Sequence, residues 1–469
     1  MEGLEIVVVG AGIGGLGSAL ALARGGNHVT LIERDDTPMP PDAEAAFEWD
    51  RTGAPQVQHP HVFLGLARTI LRDRFPDVQQ ALSDLGVEPD PIGGAGDGPF
   101  DMDAATLAVI AADDDLRMLP CRRTTFEWVM RRTMLAEPGV DFRVGVGVAG
   151  LVVDSGGEAP LVTGVRLEDG SVLSADLVIA TTGRRGDVPA WLAAHDIAIE
   201  ETVGDAGVVY FSRFYRLPED HSFGFRGAFG AGIGAGCIGS DAGTYSITAV
   251  VDKHDKEMRS HLSDSARFDA TMALLPEIAD VVEACGNPMS DVHCMTGLIN
   301  RTRTFTDRAG NPLVGGLVAV GDAHTCTNPA YGRGMSLALR QAVFVADTVA
   351  KNDTVYEAVR EYEKLSAEQV FPWYQFSVLT DQMRSMQSGG DGGRPSGGGD
   401  GLFSAFMGAG NDPELIRLLM RVMNLLDLPS VIMEKLPELQ AKAAATPLPK
   451  PTGPKVKRPK REDLLAVRA

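Results

Sequence analysis

Gly10, Gly12 and Gly15 follow the apolar run Ile6-Val7-Val8-Val9 and open a helical pattern of small residues, after which Val29-Thr30-Leu31-Ile32 ends in Glu33 and Arg34. The order is buried strand, glycine turn, helix, second strand, acid. Such spacing serves to capture a pyrophosphate. Gly10 permits the tight turn out of the strand, Gly12 lets backbone approach a phosphate, and Gly15 lets the helix pack close to the sheet. The helix start at Ile13 and Gly14 offers free N–H groups and partial positive charge to the phosphates. An acid about 20 residues further on accepts hydrogen bonds from ribose hydroxyls, and Glu33 stands there.

A second motif lies far downstream. Val318-Ala319-Val320 leads into Gly321-Asp322-Ala323-His324, followed by Pro329 and Gly332-Arg333-Gly334. Asp322 at a strand end can accept from polyol hydroxyls. Pro329 stiffens the loop, and Gly332 and Gly334 let backbone approach a flat ring. A helix starting near Met335 would point its positive end at negative charge on that ring. Two such motifs in one chain predict a single large cofactor held at both ends, FAD, and hence a flavoenzyme.

These motifs need elements to hold them. The sequence predicts an α/β fold: a Rossmann-like FAD-binding domain with a parallel sheet, interleaved with an antiparallel-sheet substrate domain and a C-terminal helical region. The expected division is 1–85, 116–195 and 301–360 for the FAD-binding domain, 86–115 for an insertion of the substrate domain, and 196–300 for its β-sheet. Residues 361–445 are C-terminal helices with a flexible loop at 388–401, and 446–469 form a basic tail expected to be disordered. Residues 61–72 read as helical and 90–105 as a loop. Thr124 to Glu127 reads as a capping box before the stripe Phe126, Val129, Met130, Thr133 and Met134. Asp176 to Ala180 reads as a central parallel strand. Gly230 to Gly236 mimics a dinucleotide turn, but no aliphatic strand precedes it and no acid follows at the right distance. It reads as a glycine-rich strand or loop near a ligand. Along Tyr210 to Tyr215, alternation puts Tyr210, Ser212 and Phe214 on one face and Phe211, Arg213 and Tyr215 on the other. The sequence does not choose which face meets substrate. Asp412-Pro413 opens a helix carrying Leu415, Leu418, Leu419, Val422 and Leu426.

The bulk properties exclude several classes. With 469 residues and 44% hydrophobic content the chain can bury a large core. A net charge of -20 argues against nucleic acid as a partner. No apolar run approaches the roughly 20 residues of a membrane span. The first strand begins almost at once, which argues against a signal peptide. Five scattered cysteines without CxxC spacing fit a reducing cytoplasm and no metal site. The expected location is cytoplasmic.

With these segments placed, the chain resembles the flavin-dependent monooxygenases of the aromatic hydroxylase type, and among them the polyene epoxidases of polyether (lasalocid, monensin) biosynthesis. Gly10 to Gly15 with Glu33 and Arg34 matches the family's adenosine and pyrophosphate site. Pro55-Gln56-Val57-Gln58-His59-Pro60-His61 matches a segment near the flavin, which implies roles for Gln56 and His61; on the residues alone, His59 and His61 equally suit the ordering of a loop. Arg123 matches an arginine that contacts the cofactor, and Val148 a position whose backbone meets the adenine. Gly183-Arg184 matches the branch's Gly-Arg turn, although Arg185 replaces its usual Ser. Asp322 to Gly334 matches the second flavin motif.

The resemblance implies NAD(P)H-dependent oxygen insertion through a C4a-hydroperoxide of FAD, with NADPH or NADH as transient reductant and molecular oxygen as co-substrate. The substrate would be a hydrophobic small molecule of polyketide or terpenoid type. That chemistry needs no dedicated acid or base, so no catalytic residue is assigned. The alternatives are an FAD-dependent reductase of an isoprenoid-like substrate and a non-redox FAD-containing cyclase. Halogenation would need a lysine between flavin and substrate, and no lysine precedes Lys253. The oligomeric state is open.

Overall fold

The computed structural model describes residues 1–468 except 91–102, 158, 219–224, 286, 389–411 and 446–457. The predicted loop at 388–401 falls almost wholly outside the described residues, as does most of 90–105.

Five strands form a parallel sheet in the order Leu317–Ala319, Leu177–Ala180, Glu5–Val9, His28–Glu33, Val140–Val144. Ile6 to Val9 pair with both neighbours and are buried on both faces, so this strand is continuously apolar. The chain leaves it in one direction toward residues 28–144 and returns on its other side at 177 and 317. The switch point therefore lies at Glu5–Val9. Ligands of open parallel sheets bind at the carboxyl ends of strands beside such a point. The helices Ile13–Arg24 and Arg333–Lys351 cross over one face: Ala338, Leu339 and Ala342 meet Gly14 and Gly17, where larger residues would hold the helices apart.

The second large sheet is antiparallel and has six strands, with Val208–Arg216 and Thr244–Asp252 at its centre. Two small three-stranded sheets complete the β structure among the described residues. One face of the antiparallel sheet carries Phe211 and Tyr215 into a core closed by the helices Lys256–Leu262, Ser265–Ala273 and Ala279–Ala284. Arg213, on the same face, pairs with Asp269. Tyr210, Ser212 and Phe214 therefore look the other way, toward the parallel-sheet half.

Several expectations need correction. The helix expected over 61–72 runs Gly65–Arg74; Phe63 instead bridges to Leu119 as an extended residue. The capping box does not form, because the helix Arg123–Leu135 already includes Thr124, and Glu127 is buried. A remote residue does the capping: the Asp241 carboxylate accepts from the Arg122 N–H and the Thr125 hydroxyl at 2.7 Å each. The stripe of that helix is buried as expected except at Thr133, which is partly exposed. The helix placed near Met335 starts at Arg333, and Met335 lies buried in its first turn. The glycine-rich 230–236 stretch is a hairpin turn leading into the strand Ile233–Gly239, with Arg458 near Gly230 and Arg461 near Gly232.

The tail also differs. Residues Arg461–Leu465 form a short helix rather than a disordered end. Leu464 is fully buried in the core of the antiparallel sheet, and Arg461 pairs with Asp255 at 2.5 and 2.7 Å. One buried leucine, preceded by two arginines that find acids, docks a segment whose composition reads as solvated.

Candidate functional site

Gly10 leaves the first strand with φ +104, a conformation that suits glycine. A Cβ on Gly15 would lie 1.9 Å from the Gly10 carbonyl oxygen and 2.7 Å from the Thr181 hydroxyl, so the helix packs closer than any side chain permits. A Cβ on Gly12 would meet nothing within 4 Å. That backbone faces open space. The helix it begins has no side-chain cap and no acid in its first turn, which leaves its N–H groups to an anion.

The Glu33 carboxylate accepts from the Ala11 N–H at 2.9 Å and the Asp35 N–H at 2.9 Å. It thus ties the strand end to the glycine turn before any ribose is considered. Arg51 lies beside it, at 3.5 Å from Glu33, 3.3 Å from Asp35 and 2.7 Å from Glu127. Arg51 escaped the sequence reading because nothing local marks it; only the fold brings three acids around it. Arg34 is exposed beyond the strand end. Val148 opens a strand and packs on the core that includes Val9 and Ile32.

The second motif arrives on the other side of the switch point. Gly321 follows the strand Leu317–Ala319, and its N–H donates to Gln341 at 2.8 Å. Gly334 lies against Asp322: a Cβ there would be 3.8 Å from the carboxylate. Gly332 has φ +64, and its Cβ position lies 3.7 Å from the Val62 carbonyl, which brings the His61 segment to this loop. The helix beginning at Arg333 also lacks a side-chain cap and an acid in its first turn. Pro329 opens a short turn and is exposed; Asn328 holds that turn by accepting from the Ala330 N–H. Gly183 has φ +70 and no neighbour within 4 Å of a Cβ.

Between the two motifs stands Arg123. Burial lowers its pKa against the opposing charges of Glu127 and Asp322. Burial likewise raises the Asp322 carboxyl, with Arg123 opposing. The Arg123 Nε is buried and has no hydrogen-bond partner. A buried guanidinium nitrogen that makes no hydrogen bond and stands 3.6 Å from Glu127, open space over Gly12 and two uncapped helix starts are what a long anionic polyol cofactor would complete. The residues present fit FAD. Among the described residues no cluster of His, Cys, Asp and Glu could hold a metal ion.

A cavity of about 360 Å³ adjoins this cluster. His61 and Arg123 form part of its wall, with Val57, Gln58 and His59 from the same segment as Gln56. Phe47 and Trp49 come from a segment to which the sequence reading gave no role. Phe214, Ile238, Met289 and His293 come from the antiparallel sheet and its connections. His61 donates from Nδ1–H to the His59 carbonyl oxygen at 2.8 Å, and burial pushes its pKa down to about 3. Burial and the neighbouring His293 push His59 down to about 4. Arg122, also in the wall, is fully engaged: its Nε and Nη2 donate to Asp241 at 2.9 and 2.6 Å. Burial alone would raise the Asp241 carboxyl, but the bonds from Arg122 outweigh it and hold it low. His324, the histidine of the second motif, is buried against Phe305 and Tyr362, 3.5 Å from Glu363. Those contacts are structural.

Comparison with known proteins agrees with this geometry. Residues 5–42 match the family model described as FAD dependent oxidoreductase. The chain is 28% identical over 470 aligned residues to Protein Rv3254 of Mycobacterium tuberculosis, covering 90% of this chain and 89% of that protein. Among solved structures it is similar to PqsL of Pseudomonas aeruginosa, described as a probable FAD-dependent monooxygenase, at 17% identity and TM-score 0.58 over 81% of this chain and 95% of that one. It is similar to Klebsiella pneumoniae HpxO complexed with FAD and uric acid, at 16% identity and TM-score 0.57, covering 94% and 98%. It is also similar to a triple mutant of the flavin-dependent brominase Bmp2, at 15% identity and TM-score 0.63, covering 93% and 100%. At these identities the likeness is one of fold: the α/β architecture of flavin monooxygenases. No described helix is long and apolar enough to cross a membrane.

Proposed function

We propose that the protein is a FAD-dependent monooxygenase that uses NAD(P)H and O2 to epoxidise or hydroxylate a hydrophobic small molecule of polyketide or terpenoid type. One observation carries this reading: the cofactor cradle and a cavity lined in part by Phe47, Trp49, Phe214, Ile238 and Met289 share a wall, with Arg123 facing Asp322 on one side and lining the cavity on the other. FAD, when bound, would supply electron acceptance from the nicotinamide and activation of oxygen.

The chain's own residues would do the rest. The N–H groups before Ile13 would take the pyrophosphate, Glu33 the ribose, Asp322 the ribityl hydroxyls, and Arg123 a contact between them. The helix after Gly332 would place positive potential beside the ring. Phe47, Trp49, Phe214, Ile238 and Met289 would hold an apolar substrate and keep water out. His61 would enter as an uncharged group. Halogenation remains disfavoured, because no lysine lines the cavity.

The test is a stopped-flow absorbance trace. The FAD-loaded protein is reduced without oxygen and then mixed with oxygenated buffer. A transient distinct from both reduced and oxidised cofactor is the expected result. Direct return to the oxidised spectrum, with and without hydrophobic additives, would favour a reductase. Failure to take up FAD at all would sink the reading.

A further inference from the structure

His59 lies between the cofactor cluster and the antiparallel sheet and lines the cavity. Its Nδ1 is 2.9 Å from the Ser212 hydroxyl, and Ser212 is 2.9 Å from the Thr248 hydroxyl. The sheet register fixes the second pair: Ser212 stands opposite Thr248 on one neighbouring strand and His293 on the other. This short chain fixes the ring and occupies one nitrogen. The other, Nε2, has no protein partner among the described residues.

The charges around it narrow the ligand. The two cations of the wall are already matched: Arg122 by Asp241, and Arg123 by Glu127 and Asp322. Burial and His293 keep the imidazole of His59 neutral, and His61 beside it is neutral too. The remaining charged lining residues, Glu48, Asp50 and Asp291, are exposed acids. A carboxylate entering here would lose its hydration, pass acids, and find no free cation.

The geometry points to His59 as the polar contact for substrate, held in orientation by Ser212 and Thr248, in a chamber that takes an uncharged, mostly apolar molecule carrying one hydroxyl or carbonyl. This inference rests on the cavity being the substrate chamber of the proposed monooxygenase, and it names the class of molecule that chamber accepts. His59 touches the substrate; Ser212 is a positioning residue that acts through it.

The experiment is calorimetric titration of the full-length, FAD-supplemented protein with 2-naphthol and with 2-naphthoate at neutral pH, where the first is uncharged and the second is an anion of similar size. 2-Naphthol should bind at least tenfold more tightly. His59→Phe, which keeps a ring but loses the nitrogen, should weaken 2-naphthol about tenfold while leaving the melting temperature at neutral pH within a few degrees. Ser212→Ala should weaken it about threefold, and Ser212→Thr, which keeps the hydroxyl, should restore it. Equal binding of the two probes, binding indifferent to His59→Phe and Ser212→Ala, or binding of neither probe would overturn the inference. The outcomes separate cleanly from those above: His59-dependent binding of 2-naphthol without FAD uptake would keep the contact and reject the monooxygenase.

Discussion

The parallel and antiparallel sheets bury their strands by opposite rules, and the contrast explains where the cofactor and the substrate belong. Ile6–Val9 and Leu177–Ala180 are apolar on both faces because helices and sheets cover both. At their carboxyl ends the glycine turns offer backbone rather than side chains to a ligand. Val208–Arg216 is also buried along its length, but its two faces differ. Phe211 and Tyr215 pack under helices, while Phe214 lines the cavity and Ser212 bonds to His59 in its wall. The first region presents a backbone cradle that requires glycine. The second presents side chains that can vary with the ligand.

The sharpest way to break the comparison is at the cradle. Gly15→Ala places a methyl 1.9 Å from the Gly10 oxygen and should abolish both folding and FAD uptake, read as loss of soluble yellow protein. Next is the bridge between the halves. Asp241→Ala leaves Arg122 buried without an acid and uncaps the Arg123 helix, and it should cost about 3–5 kcal/mol in denaturant unfolding.

The cavity histidines should show in the pH dependence. His59 is held at about 4 in the folded protein, below its ordinary 6.5, so between those values the unfolded chain binds the extra proton. Stability should therefore fall as pH drops through that window, by on the order of 3 kcal/mol for this group. His59→Phe should flatten the curve; a profile identical to that of the parent would refute the assignment.

Leu464→Ala should cost about 2 kcal/mol by emptying a buried site at the chain end, and a protein lacking residues 458–469 should show the same loss in the antiparallel half. The smallest expected stability effect is at Gly12→Ala. Its methyl meets no protein atom within 4 Å, so the melting temperature should hold, yet FAD affinity should fall if the proposed pyrophosphate site is right. Equal damage from Gly12→Ala and Gly15→Ala would mean that the two glycines do not divide the labour in this way.

Much of the site was written in local spacing. The strand–turn–helix–acid order, the Gly321–Gly334 run and the central strand at 177–180 each follow from patterns a few residues long, because the strands are short, apolar and bounded by glycines. Where a local signal misled, a distant group had taken its place. Thr124 and Glu127 have the spacing of a capping box, but Asp241 supplies the cap and Glu127 serves Arg51. The basic tail has the composition of a solvated end, but one leucine finds a core.

By itself the sequence determined the cradle, since phosphate binding depends on backbone freedom that glycine alone confers and on an acid set at a fixed distance. Tertiary structure decided what those features meet. It set Tyr210, Ser212 and Phe214 on the face toward the parallel-sheet half, gathered Arg51 among three acids, and set His59 against Ser212, contacts between residues up to 153 positions apart. Alternation along a strand defines two faces but carries no sign for inside or outside. That sign comes only from the layers packed on each side.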